Sequence, residues 1–271
     1  MNCVSKIINK RGNKMCNIKL IKGDCLEKFT LIKDKSIDLV FTDLPYGTTA
    51  CEWDVVIPFD KLWEINNKIS KKNAPFVSFA TEPFASLLRC SNLKDYKYDW
   101  IWDKEQGTNQ FLKDKQPLRK HENICVFYKE QSKFNKVPVK SWRREIKFRQ
   151  ETNFSIVGYE SKEKTSYDSK GFKHPVSILP FNRPHWREGR YHETQKPILL
   201  CNYIIQTYTD ENEIVCDLTM GSASIGISCI QLNRNYIGIE KDENKFNIAV
   251  NRINTYIKDN NLANVNVEII K

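Results

Sequence analysis

Two acids in this 271-residue chain stand where an apolar run stops, and each is followed by residue types suited to holding a small molecule. The first is Asp43, in SIDLVFTDLPYG. Tyr46 offers a flat face on which a ring can stack, and the Asp43 carboxylate can accept a hydrogen bond from an exocyclic amine. The Leu44 carbonyl can serve as a second acceptor, and Pro45 after it carries no N–H of its own. Gly47 lets the chain turn away. An acid, a carbonyl and an aromatic face within four residues fit a flipped-out base whose amine is the reacting group. The same letters also describe a plain strand that ends in a turn.

The second acid is Asp217, in EIVCDLTMGSAS. Gly221, Ser222, Ala223 and Ser224 are small, so a ligand can approach the backbone and the N-terminus of the helix that follows. Some twenty residues on, Glu240 ends NYIGIE, at a distance that suits the two hydroxyls of a ribose. Only one loop glycine precedes Gly226, so the G-x-G-x-x-G dinucleotide pattern is absent, which leaves a nicotinamide-dependent oxidoreductase a distant reading. Asp217 would also repel a pyrophosphate. It suits a nucleoside with a cationic amino-acid tail and no phosphate, which is the make-up of S-adenosylmethionine. A tight strand–helix turn is the alternative.

The net charge of +10 points to a polyanionic partner. It is concentrated: residues 129–190 hold fifteen Lys/Arg against seven Asp/Glu, with aromatics interleaved in SWRREIKFRQ and FNRPHWREGRY. That texture fits either a solvated insertion or a surface for phosphates and bases. None of the nine cysteines makes a Cys-x-x-Cys pair, so free thiols in a reducing cytosol are expected and neither a zinc site nor any other metal is. No apolar run approaches 20 residues and no secretory leader is evident, so a membrane span is not expected.

The elements that must position these residues are legible as alternating strands and helices. Ile18–Lys22, SIDLVFTD, APFVSFAT, YDWIWDK, NICVFYK, EIVCDL and NYIGIE read as strands, several of them continuously apolar as in a sheet covered on both faces. IPFDKLWEINNKIS places Phe59, Leu62, Ile65 and Ile69 on one side of a helix, and KPILLCNYIIQTYT and ENKFNIAVNRINTYI are helical as well. NVNVEII closes the chain as an edge strand. The pattern predicts an α/β, doubly wound sheet.

DLPYG, then HETQKP, then CDLTMGSAS, then GIEKDENKF, in that order, resembles the amino-group DNA methyltransferases that use S-adenosylmethionine, in their permuted β class. The resemblance runs from about Lys19 to Ile257. It implies a mostly parallel, seven-stranded Rossmann-like methyltransferase sheet, with residues 1–128 as the catalytic half, 129–190 as an inserted target-recognition region and 191–271 as the cofactor half. Asp43, Leu44, Pro45 and Tyr46 match the catalytic D-P-P-Y motif, with leucine in the usual proline position. Thr194, Lys196 and Pro197 match a T-Q-K-P motif on the cofactor side. Asp217, Gly221, Ser222 and Ser224 match the methionine-side loop, Glu240 the ribose acid, and Asp24 an acid near the adenine of the cofactor. The loop departs from D-P-F-x-G-S-G-T at Thr219, where an aromatic is usual, and at Ala223, where a glycine is. Arg119 and His121 fall near the target pocket, and Trp142, Arg143, Arg144, Arg183 and Arg187 are candidate DNA contacts. The resemblance implies N6 methylation of adenine in double-stranded DNA by a cytoplasmic protein of bacterial, phage or viral type. N4 methylation of cytosine and a non-catalytic DNA-binding subunit are the rival readings. A second copy of the chain, a nuclease or another methyltransferase subunit are the partners it allows.

Overall fold

A computed structural model describes residues 15–48, 51, 54–137, 139–140, 172–184 and 195–271. The described chain divides into a large unit, residues 1–135 with 177–271, and a small one, Lys136–Val176.

In the large unit the first half runs β1 (Cys16–Lys22), α1 (Cys25–Lys28), β2 (Leu39–Thr42), α2 (Phe59–Ile69), β3 (Phe76–Ala80), α3 (Phe84–Ser91), β4 (Tyr96–Thr108) and β5 (Arg119–Phe127). The small unit contributes β6 (Val139–Lys140) and β7 (Phe172–Lys173), which pair antiparallel with each other. The second half of the large unit runs β8 (Ile178–Pro180), α4 (Ile198–Tyr208), β9 (Ile214–Asp217), α5 (Ser224–Gln231), β10 (Asn235–Glu240), α6 (Glu243–Asp259) and β11 (Val265–Ile270).

The sheet has nine strands in the order β11-β1-β10-β9-β2-β3-β5-β4-β8. Every strand but β5 points the same way, since β5 is antiparallel to both β3 and β4 while β8 is parallel to β4. The expected doubly wound, mostly parallel sheet is therefore present. It is two strands wider than seven because β11 and the three-residue β8 are added at its two edges. Ile178–Pro180, inside the basic stretch, thus belong to the main sheet, and Lys133 pairs within the large unit with Asp210 and Glu213 at 2.6 Å each.

The continuously apolar strands are buried along their whole length: all four residues of β2 and all five of β3. Burial on both faces leaves no polar alternation, which is why these runs read as uninterrupted. Helix α2 turns Leu62, Trp63, Ile65 and Ile69 inward, and the Trp63 ring meets Phe76 at 5.0 Å and Phe127 at 4.9 Å. Under α4, the Tyr208 hydroxyl accepts from Trp100 Nε1 at 2.7 Å and shares a hydrogen bond with the Tyr98 hydroxyl at 2.9 Å. A buried phenol is thereby satisfied twice. No described helix is long and apolar enough to cross a membrane.

From β9 the chain proceeds outward to β10, and from its neighbour β2 it proceeds the opposite way to β3. The gap between β9 and β2 is therefore a topological switch point, where the loops beyond the strand ends part and leave a crevice.

Candidate active site

Both acids singled out by the sequence stand at that switch point. Asp43 follows β2, and Asp217 is the last residue of its neighbour β9. A cavity of about 450 Å³ opens above them, lined by Asp43, Leu44, Pro45 and Tyr46 on one side and by Asp24, Asp217, Gly221, Ser222, Ser224 and Glu240 on the other.

The catalytic-motif turn is held from within. Asp54 Oδ1 accepts from the backbone N–H groups of Tyr46 at 2.8 Å and Gly47 at 2.9 Å, and its Oδ2 from that of Thr48 at 2.9 Å. Gly47 has φ of +66°, and a Cβ there would stand 2.9 Å from Val56 Cγ2, so this position demands glycine. Leu44 turns its side chain into the apolar core, which accounts for an aliphatic residue in place of proline.

Asp43 is gripped at both oxygens. Oδ1 accepts the Tyr46 hydroxyl at 2.7 Å, and the Lys196 ammonium lies 2.8 Å from Oδ2. Lys196 is buried and also meets Glu122 Oε2 at 3.2 Å, while Lys104 meets Glu122 Oε1 at 2.5 Å. Asp43, Lys196, Glu122 and Lys104 thus form a chain of alternating charge. Burial works against the charge on Lys196, yet Asp43 and Glu122 outweigh it and hold the ammonium above the ordinary lysine range. Burial likewise opposes the Glu122 carboxylate, but Lys196 and Lys104 keep its pKa below the usual value. Burial lowers the pKa of Lys104 despite Glu122, whereas burial and the nearby acids push the Tyr46 phenol far up, so it remains a neutral donor. The Tyr46 ring is half-buried and packs on Phe84 at 5.1 Å.

The loop after Asp217 is equally braced. Glu240 accepts the Gly221 N–H on Oε2 and the Asp242 N–H on Oε1, both at 2.9 Å, and burial still lifts its pKa above the ordinary carboxylate range. Asp217 is fully buried, and that desolvation pushes its pKa up to about 7 against the lowering effect of the Thr219 N–H and the Thr42 and Tyr236 hydroxyls. Gly221 has φ of +51° with nothing within 4 Å of where a Cβ would lie, so the loop backbone faces open space. Arg252 of α6 donates to the Ser222 carbonyl at 2.6 Å and to the Ser222 and Ser224 hydroxyls at 3.2 and 3.1 Å. Asp24 caps α1 by accepting from Leu26 N at 2.8 Å.

Thr219 joins the two halves. Its hydroxyl meets that of Thr42 at 2.8 Å and donates to the Asp43 carbonyl at 2.9 Å. The residue that departs from the usual aromatic is thus a latch between the two strand ends. Ala223 adopts φ of +56°, the left-handed conformation that a glycine would take without strain.

Lys196 shares the cavity, but its ammonium faces the acid of the catalytic motif, while Pro197 caps α4. Arg183 lines the cavity mouth and is exposed. Arg119 and His121 line no part of it: His121 is exposed and Arg119 reaches the Glu82 carbonyl at 3.5 Å. Thr194, Trp142, Arg143, Arg144 and Arg187 lie outside the described residues. Glu122, Lys104 and Asp54 escaped the sequence reading. Glu122 had one visible signal, an acid abutting the buried run NICVF. Six described cysteines are buried, and burial pushes Cys25, for one, up to about 12, the range of an inert thiol.

Residues 37–251 match the family model described as DNA methylase. The chain belongs to the DNA methylase family. It is 24% identical to the type II methyltransferase M.HpaI of Haemophilus parainfluenzae over 88% of this chain and 74% of that one. It is 25% identical to the DNA adenine methyltransferase YhdJ of Escherichia coli K12 over 86% and 82%. Among solved structures, that of M1.HpyAVI with S-adenosylmethionine superposes with a TM-score of 0.57 at 21% identity, covering 88% of this DNA methylase and 99% of that chain. The cytosine-N4-specific PvuII DNA methyltransferase superposes with a TM-score of 0.63 at 14% identity, over 96% and 99%. These likenesses carry the fold.

Proposed function

We propose that this DNA methylase transfers a methyl group from S-adenosylmethionine to the exocyclic N6 amine of an adenine turned out of DNA. The observation that carries the reading is the pairing, across one switch point and in one cavity, of an Asp43–Tyr46 amine-reading turn with an Asp217–Glu240 nucleoside loop. The name of the adenine-specific relative agrees with it.

The loop side fits the cofactor by its chemistry. Its acids are Asp217, Glu240 and Asp24, which suit an amine-bearing tail, a ribose and an adenine edge in turn, and the backbone at Gly221 leaves room for close approach. When bound, the cofactor supplies an electrophilic methyl on a sulfonium. The protein's own task is to place an amine in line with it. Each Asp43 oxygen has one lone pair committed, to the Tyr46 hydroxyl or to Lys196, and keeps another for an amine N–H. The fixed carboxylate then stabilises the positive charge that grows on the attacking nitrogen, so catalysis is positioning with electrostatics. Tyr46, with Phe84 against its ring at 5.1 Å and the Lys196 ammonium 5.9 Å from its centre, offers the aromatic surface on which the base stacks, a contact worth about 1–3 kcal/mol. Thr219 keeps the two halves in register. The basic 129–190 segment, with Arg183 at the cavity mouth, serves duplex DNA.

Nucleoside mass spectrometry of treated DNA, with modification-sensitive sequencing, tests the reading. N6-methyladenine at a defined motif, lost in Asp43→Ala, is expected. N4-methylcytosine as the sole product overturns the adenine assignment. The absence of any S-adenosylmethionine binding in calorimetry overturns the enzyme.

A further inference from the structure

Beyond the ends of their neighbours, β4 and β5 continue as a two-stranded finger. Strand β3 pairs β5 only from Asn123 onward, and β8 pairs β4 only at Ile101, Trp102 and Asp103. Because β4 runs parallel to β3, the finger leaves the sheet at the edge where the cavity opens, and Thr108 and Asn109 line that cavity.

The finger is built to hold its tip still. Leu118 packs on Gly107 so closely that a Cβ at Gly107 would stand 2.7 Å from Leu118 Cβ. Thr108 Oγ1 donates to the Arg119 carbonyl at 2.8 Å. Asn109, at φ of +66°, turns the chain into a single 3₁₀ turn, Gln110–Leu112, closed by Leu112 N to Asn109 O at 2.9 Å and followed by Lys115 N to Leu112 O at 2.9 Å. On this ordered turn Phe111 is wholly exposed and Leu112 is exposed beside it. Lys113 and Lys115 follow them, both exposed, with Asp114 the single acid between.

A large ring on a braced turn, followed by two exposed lysines, at the lip of a cavity that takes a flipped base, has the make-up of a wedge for stacked bases. Resting on the reading of the cavity given above, we infer that Phe111 enters the duplex at the target site and occupies the stacking gap left by the extruded adenine. Lys113 and Lys115 meet the adjoining phosphates. Phe111 is two residues beyond the cavity-lining Asn109, a chain length of at most about 7 Å, so the wedge and the pocket address neighbouring points of one strand. Duplex DNA, and no single strand, is the substrate that needs such a group.

The test uses the full chain and two oligonucleotide duplexes carrying the motif that wild-type methylation defines. One is fully paired; in the other the target adenine lies opposite an abasic site, where the base is already loosened. Phe111→Ala is expected to slow single-turnover methylation of the paired duplex about 10- to 100-fold, the factor of one lost aromatic stacking contact, and the abasic duplex by no more than about threefold. Phe111→Trp is expected to restore most of the rate on paired DNA. Equal effects on the two duplexes, including no effect on either, overturn the wedge. So does a wild-type dimer that Phe111→Ala converts to monomer in sedimentation, which assigns the exposed ring to a second copy of the chain. A wild type that leaves no methylated adenine in any DNA, so that no motif is defined, overturns the functional reading, and the wedge falls with it.

Discussion

The Lys196 ammonium lies 2.8 Å from Asp43 Oδ2, so a residue from the segment entering α4 fixes the acid at the end of β2. Lys196 also holds Glu122, so its loss leaves two acids facing each other with no cation between them. Lys196→Met is expected to lower single-turnover methylation about 10²- to 10³-fold, the usual effect of removing one fixed electrostatic contact at the reacting centre. Breaking the buried pair should also cost about 3 kcal/mol of stability, the low end for such pairs because Lys104 still serves Glu122. Denaturant unfolding and quench-flow assays check both, and Lys196→Arg should recover most of the stability.

Asp217 gives the protein a pH signature. Its carboxyl titrates near 7 in the folded chain and near 3.9 when unfolded. Between those values the native state holds a proton that the unfolded state releases, so this group's stabilisation is complete below about pH 4 and is lost as pH rises through 7. In the proposed cofactor site, a cationic tail bound beside Asp217 would draw that proton off. Affinity for S-adenosylmethionine is therefore expected to rise with pH up to about 7 and then level. Isothermal calorimetry between pH 5.5 and 8.5 measures the slope, which Asp217→Asn should flatten.

Asp54 gathers the three N–H groups of the Tyr46–Thr48 turn. Asp54→Ala is expected to destabilise the chain by about 2–4 kcal/mol, since hydrogen bonds to a buried charge are worth about 1.5–3 kcal/mol each and water replaces part of them. Asp54→Asn keeps one acceptor and should lose about half as much. Thermal melts rank the two, and a rise in KM for DNA without change in cofactor affinity would place the damage on the Tyr46 side.

At Ala223 two effects nearly cancel. The left-handed conformation costs an L-residue about 1–2 kcal/mol. Glycine would relieve it, but would give up about 0.8 kcal/mol of buried methyl and about 0.5–1 kcal/mol of backbone entropy. Ala223→Gly should therefore shift the melting temperature by less than about 3 °C. A β-branched side chain has no such compensation, and Ala223→Val should be severely destabilising.

The strand ends were legible because an acid interrupts an apolar run, as at Asp43, Asp217 and Glu240. The charge chain was not, since Glu122 and Lys104 reach the cavity only through the register of β4 on β5, which sets Trp102 opposite Glu122. Nothing local in HENICVF says that Glu122, and not a residue at its other end, faces the site. Strand β8 escaped for another reason: three residues, ILP, are too few to show a period. Asp54 acts across an eight-residue gap on backbone groups, and backbone partners leave no mark in side-chain spacing.

Strand β5 alone runs against the sheet, and this divides the protein into parts with different freedom to change. A parallel neighbour must return by a crossover that crosses the layer, whereas an antiparallel pair needs only a hairpin. The parallel strands are joined by crossovers, so their loops are tied to helix lengths. The β4–β5 edge is closed by a turn in open solvent, and residues can be added or removed there without moving a helix or the Asp43–Lys196 contact. That hairpin can thus change in length while the crevice between β2 and β9 stays in place.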